Sequence, residues 1–158
     1  MNIKQIITLV FCVIVIASCT YKTFDPGPSP YDDPSLLDSA KNESALVHYK
    51  NDTDQIYSGS NGPHGPFKLK FNKIAQTALT DNGKLPVGQT FPSGSFIVKQ
   101  IPSSGLYAFM YKRNGSWIWG EVYSSGSVLH STRADNDVCV SCHSQSGQRD
   151  LVVSFNFY

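Results

Sequence analysis

Asn114-Gly115 sits between two runs, residues 106–113 and 116–123, that are rich in aromatic and other β-favouring side chains. Both turn positions tolerate positive φ, so the pair closes a two-residue β-hairpin. Residues 95–101 predict a strand before this hairpin. After a turn at 124–126, residues 127–130 extend the same pattern. Phe67, Leu69 and Phe71 alternate with Lys68 and Lys70, the signature of a half-buried strand. The apolar stretch 151–157 predicts a last strand. Leu36, Leu37, Ala40 and Val47 fall near one helical face, predicting a helix over 35–50 with Ser35 or Asp38 as its cap. Asn72 is placed to cap a short helix running to Leu79, and residues 51–66 read as loop. The expected class is α+β: a mainly antiparallel β-sheet with a few packed helices and no internal repeat.

At 158 residues the chain is long enough to bury one core. Thirteen basic residues stand against twelve acidic ones. No excess of positive charge exists to neutralise phosphates, which excludes a general nucleic-acid binder. Cysteines occur at 12, 19, 139 and 142. They leave the middle of the chain without a thiol, so a disulfide-stapled mini-protein is excluded as well.

The first two cysteines belong to an address. Lys4 supplies a positive start, and residues 6–17 are apolar except for Thr8. A membrane-spanning helix needs about 20 such residues, so the run suits a cleaved signal better than a permanent anchor. It ends in Ile16-Ala17-Ser18-Cys19, which resembles the lipobox of bacterial lipoproteins. That resemblance implies cleavage before Cys19 and acylation of its thiol and amino group. The alternatives are an ordinary secretory cut or a buried core strand. Pro26, Pro28, Pro30 and Pro34 then stiffen an extended tether. The expected organisation is a signal peptide over 1–18, a lipidated Cys19 with its tether over 19–34, and a folded domain over 35–158. The expected location is the periplasmic side of a bacterial cell envelope. Thr20 stands where some inner-membrane lipoproteins carry aspartate, which favours the outer membrane.

The remaining thiols form Cys139-Val140-Ser141-Cys142-His143. C-x-x-C-H is the attachment run of c-type haem. One helical turn presents both sulfurs to the porphyrin edge, and the adjacent histidine reaches the iron. A covalently held cofactor suits a secreted protein that cannot recapture a lost one. The competing readings are weaker. Half a zinc site lacks its second pair, a redox dithiol lacks a βαβ context, and a disulfide across three residues staples little. The domain over 35–158 is therefore expected to carry one haem c, with His143 as its iron ligand. No methionine follows the motif. Met110 lies on a predicted strand and reads as a core residue. His48, His64 and His130 are the alternative sixth ligands, but each is a lone histidine beside loop or turn residues and reads as a solvated or hydrogen-bonded side chain. The sixth coordination position is thus expected to be open, and an open iron takes small molecules.

Four stretches carry a resemblance to a known family. They are Phe71-Asn72 before a short helix; Phe91-Pro92-Ser93-Gly94-Ser95-Phe96-Ile97-Val98-Lys99; the hairpin from Tyr107 to Trp119; and Cys139 to His143 followed by Asp150-Leu151-Val152. In this order they resemble the cytochrome P-460 family, which includes the cytochromes c′-beta. The family's usual Asp is replaced by Ser93, and its usual Glu by Gln100. The resemblance implies a homodimeric, sheet-dominated fold with one haem attached through Cys139 and Cys142 and ligated by His143. In hydroxylamine-oxidising members the lysine matching Lys99 is cross-linked to the porphyrin. Lys99 shares a strand face with Ile97 and Ile101, so its amine faces either an apolar pocket or, snorkelling, water. The family's distal arginine position falls near Phe67, which implies an apolar distal cap; the plainer reading of Phe67 is a core side chain.

Three functions follow as expectations. The first is a membrane-anchored haem protein binding nitric oxide or a related small nitrogen species. The second is an enzyme oxidising hydroxylamine with Lys99 and a carboxylate such as Asp135 or Asp137. The third is a simple electron carrier with a sixth protein ligand. A redox partner protein is expected in each case.

Overall fold

The computed structural model describes residues 30–60 and 62–158. The signal segment, Cys19 and the tether up to residue 29 lie outside the described residues. Six strands form one sheet in chain order: β1 (Leu46–His48), β2 (Lys68–Asn72), β3 (Phe96–Ile101), β4 (Leu106–Arg113), β5 (Ser116–Tyr123) and β6 (Val128–His130). Every neighbouring pair is antiparallel. The β4–β5 turn is the expected one, with Asn114 at φ 50° and Gly115 at φ 80°. With its few helices this is an α+β architecture.

Helix α1 (Asp33–Lys41) covers one face of the sheet. Asp32, not Ser35 or Asp38, is its cap, accepting from the Ser35 amide at 3.0 Å. Asp33 and Pro34, read from sequence as the end of the tether, form its first turn. The helix buries Leu36, Leu37 and Ala40 against Phe96, Val98 and Phe109. It stops well short of residue 50. The apolar period that continues to Val47 is satisfied differently, because Val47 pairs with Phe71 and extends the sheet by a strand. Ladder hydrogen bonds to β2 and the β-branched side chain favour that outcome over about two and a half more helical turns.

β2 is covered on both sides rather than half-buried. Lys70 has no exposed surface, and its ammonium pairs with Glu43 on the turn before β1. A buried charge needs such a partner. The opposite side of β2 carries Phe67, Leu69 and Phe71 into the larger core, beneath α2 (Lys73–Thr77) and the carboxyl-terminal segment.

Asn72 joins these parts. Its side-chain oxygen accepts from the amides of Ala75 and Phe96, each at 3.0 Å, and its amide donates to the Gly94 carbonyl at 2.8 Å. Asn72→Ala removes the α2 cap and leaves the Phe96 amide without this acceptor. The expected loss is about 2–4 kcal/mol by chemical denaturation.

The expected last strand does not form. Residues Val153–Asn156 are a 3-10 turn instead. Asp150 (φ 50°) and Leu151 (φ 64°) turn the chain inward, so it lies across the sheet face and not along an edge. Val152, Val153 and Phe155 are all buried, a pattern without the alternation a strand requires. Phe155 stacks on Phe71 at 6.3 Å. No helix among the described residues is long and apolar enough to cross a membrane.

Candidate cofactor site

Helix α3 (Asp137–His143) holds the whole C-x-x-C-H run. Spacing of three residues brings Cys139 and Cys142 to one helix face, and both are partly buried free thiols. His143 closes the last turn and is buried, 8% exposed. Its Nδ1–H donates to the Leu151 carbonyl at 2.7 Å. The Trp119 ring stands edge-on to the imidazole, 4.6 Å between centroids. Burial, reinforced by the positive field of Lys99, pushes the His143 pKa down to about 4. The ring is therefore neutral at pH 7, with one tautomer selected and the Nε2 lone pair free.

The two thiols and His143 line a cavity of about 670 Å³, open to solvent, between α3 and the sheet. A transverse row of the sheet supplies much of its opposite wall. Lys99, Ala108, Glu121 and His130 are consecutive cross-strand neighbours on β3, β4, β5 and β6. Ala108 is the small member, so the long side chains flanking it border open space. Lys99 and Glu121 line the cavity. β3 is a central strand, which makes Lys99 no edge residue. Burial lowers its pKa to about 8, partly opposed by Cys142 and Glu121. Burial also raises Glu121 above the usual carboxylate range, opposed by His130 and Lys99. The site thus holds an acid and a base whose charges desolvation weakens, an arrangement common where protons are handled.

Phe67 is buried, and its ring centroid lies 4.7 Å from the Lys99 ammonium. It lines an adjoining cavity of about 390 Å³ with His64, Lys99, His143 and Tyr158. The remaining candidates separate cleanly. Met110, buried on β4, forms part of the first cavity's wall. His130 Nε2 lies 3.7 Å from the Cys139 sulfur. His48 lies on β1, 3.7 Å from Glu43, and lines neither cavity. Asp135 and Asp137 are exposed at the start of α3, where the Asp135 carboxylate accepts from the Asp137 amide at 3.0 Å. Neither lines the cavity, so the carboxylate at this site is Glu121.

Glu121 escaped the sequence reading, and His64 was read there as a solvated or hydrogen-bonded side chain. Glu121 is two positions beyond Trp119 and four beyond Trp117, so strand alternation puts it on their face. His64 carries no such signal, since it sits in the loop between Tyr57 and Phe67. Among the described residues no group of three or more His, Cys, Asp or Glu side chains is placed to hold a metal ion directly. Two thiols and a neutral imidazole nitrogen at one largely apolar cavity are instead a donor set suited to a planar cofactor attached at its edge. Compared with known proteins, the chain matches no family model, no curated protein and no solved structure.

Proposed function

We propose that the chain is a mono-haem c-type cytochrome of the cytochrome P-460 type that binds nitric oxide or a related small uncharged nitrogen species. One observation carries this reading. His143 keeps its proton on Nδ1 through Leu151 and leaves Nε2 free beside a cavity that Cys139 and Cys142 also line. Cys139 and Cys142 would hold the cofactor through thioethers, and His143 would supply a nitrogen ligand to its iron. Haem supplies an iron able to take up electrons and small neutral molecules.

The chain's own groups do the rest. The Leu151 carbonyl orients the imidazole and raises its basicity, the usual role of a partner behind a metal-bound histidine. Trp119 limits rotation of the ring. Apolar walls from Ile97, Ala108, Met110 and Val152 limit water and favour an uncharged ligand. A lipidated Cys19 and the proline-rich segment hold the domain at the periplasmic face of an envelope membrane, where it works as a homodimer with a redox partner protein.

Titration of the reduced, haem-loaded protein with nitric oxide tests the ligand reading. Saturable binding at one ligand per haem is expected, seen as a new Soret band. No spectral change in excess ligand would remove the ligand-binding function.

A second reading is favoured by the presence of Lys99 and Glu121 at the same cavity. In it the protein would oxidise hydroxylamine, with the electrons leaving to the redox partner protein, the protons going to Glu121, and Lys99 cross-linked to the cofactor. Lys99→Arg then shifts the red-most absorption band and removes the cross-link from the mass spectrum. An unchanged spectrum and mass would leave only the binding function.

A further inference from the structure

We propose that His64 occupies the sixth coordination position of the iron at rest, so that an external ligand binds only by displacing it. This rests on the haem reading above and replaces the expectation of an open iron.

Three observations meet at this side chain. The first is placement. The His64 and His143 ring centroids are 6.4 Å apart. Two imidazoles sharing one metal between them, with metal–nitrogen bonds of about 2 Å, place their ring centres roughly 6 Å apart. Both rings also line both cavities, which adjoin at His64, Lys99 and His143. A flat group reaching from the thiols into the second cavity passes this point.

The second observation is orientation. Nδ1 of His64 lies 3.4 Å from a Glu121 carboxylate oxygen. That carboxylate stands on the Nδ1 side of the His64 ring, which leaves Nε2 as the nitrogen for a metal. The side chain is 14% exposed.

The third is the tethering of the residues on either side of it. Tyr57 and Phe67 exchange backbone hydrogen bonds of 2.9 and 3.0 Å and close the base of the His64 loop. The two arms touch within it: a Cβ on Gly59 would lie 1.7 Å from the Gly65 carbonyl oxygen. The Tyr158 hydroxyl lies 3.3 Å from the Gly59 amide and ties the loop to the carboxyl terminus. Pro63, Gly65 and Pro66 flank the histidine. A ligand carried on a constrained loop stays at the iron more readily than one on a mobile chain, because less entropy is lost in binding.

Optical and electron paramagnetic resonance spectra of the haem-loaded wild type, His64→Ala and His64→Met test the proposal. The wild type is expected to be six-coordinate and low-spin. His64→Ala is expected to be high-spin, to return to low-spin with added imidazole, and to bind carbon monoxide about tenfold faster or more. His64→Met keeps a side chain in the space and is expected to move the near-infrared charge-transfer band to a histidine–methionine position. A covalently haem-loaded wild type that is high-spin, or a His64→Ala variant that stays low-spin unchanged, would overturn the inference and leave the haem reading standing. Failure to attach haem at all would overturn both.

Discussion

Replacing Asp150 with alanine lowers the stability of the fold by about 3–5 kcal/mol. Its carboxylate has two buried jobs. One oxygen lies 2.8 Å from the Lys112 ammonium, and the other accepts the Phe91 amide at 2.7 Å. The paired side chains are 9% and 4% exposed, so the variant leaves a buried ammonium with only the Trp117 ring, at 4.8 Å, beside it. Removing one partner of a buried pair costs far more than breaking a surface one, because the survivor cannot be rehydrated. The backbone carbonyl of Asp150 also accepts from the Trp117 indole at 2.9 Å. Asp150 therefore fixes the turn whose next residue, Leu151, presents its carbonyl to His143. Asp150→Asn retains an acceptor for Phe91 and loses only the charge, so its loss is smaller. Chemical denaturation checks both variants. A loss below about 1 kcal/mol for Asp150→Ala, the range of exposed pairs, would show that Lys112 finds water or another partner.

His143→Gly is expected to leave the cofactor tethered while abolishing its native spectrum. In the proposed haem form the thioethers at Cys139 and Cys142 would not depend on the imidazole, so covalent haem is expected to be retained. What would be lost is the imidazole that the Leu151 carbonyl and the Trp119 edge hold in place. Imidazole added to this variant fills the space vacated by the side chain and restores most of the wild-type spectrum. A protein with unchanged bands after His143→Gly would show that His143 is not a ligand of the iron. Comparing Asp150→Ala with His143→Gly separates two effects. The first loosens the orientation of a ligand that is still present, broadening the spectrum, whereas the second removes the ligand.

The parts of this fold legible in the sequence are those specified locally. Asn114-Gly115 and its flanking strands need only neighbours in the chain, and the observed turn matches residue for residue. The Asn72 cap depends on an amide three residues away. The C-x-x-C-H spacing needs one helical turn, and α3 provides it. The misreadings lie where distant residues decide. Val47 leaves a helical period because Phe71 offers it a ladder partner. Lys70, alternating with apolar residues like a solvated lysine, is buried because Glu43 comes to meet it. Residues 151–157 have strand composition, yet Asp150 ties their entrance to Lys112 across the sheet. His64 has no local pattern at all. Its place follows from a loop closed by Tyr57 and Phe67 and pinned by the residue at the far end of the chain. Strand alternation does place Glu121 beside Trp119, which is why the cavity's carboxylate is recoverable from sequence and the place of His64 is not.

The mass of the peptide spanning residues 139–143, taken from protein produced alongside the cytochrome c maturation machinery, is the direct test of the cofactor. One haem on that peptide is expected, with neither Cys139 nor Cys142 open to alkylation. A haem-free peptide whose two thiols both alkylate would contradict it.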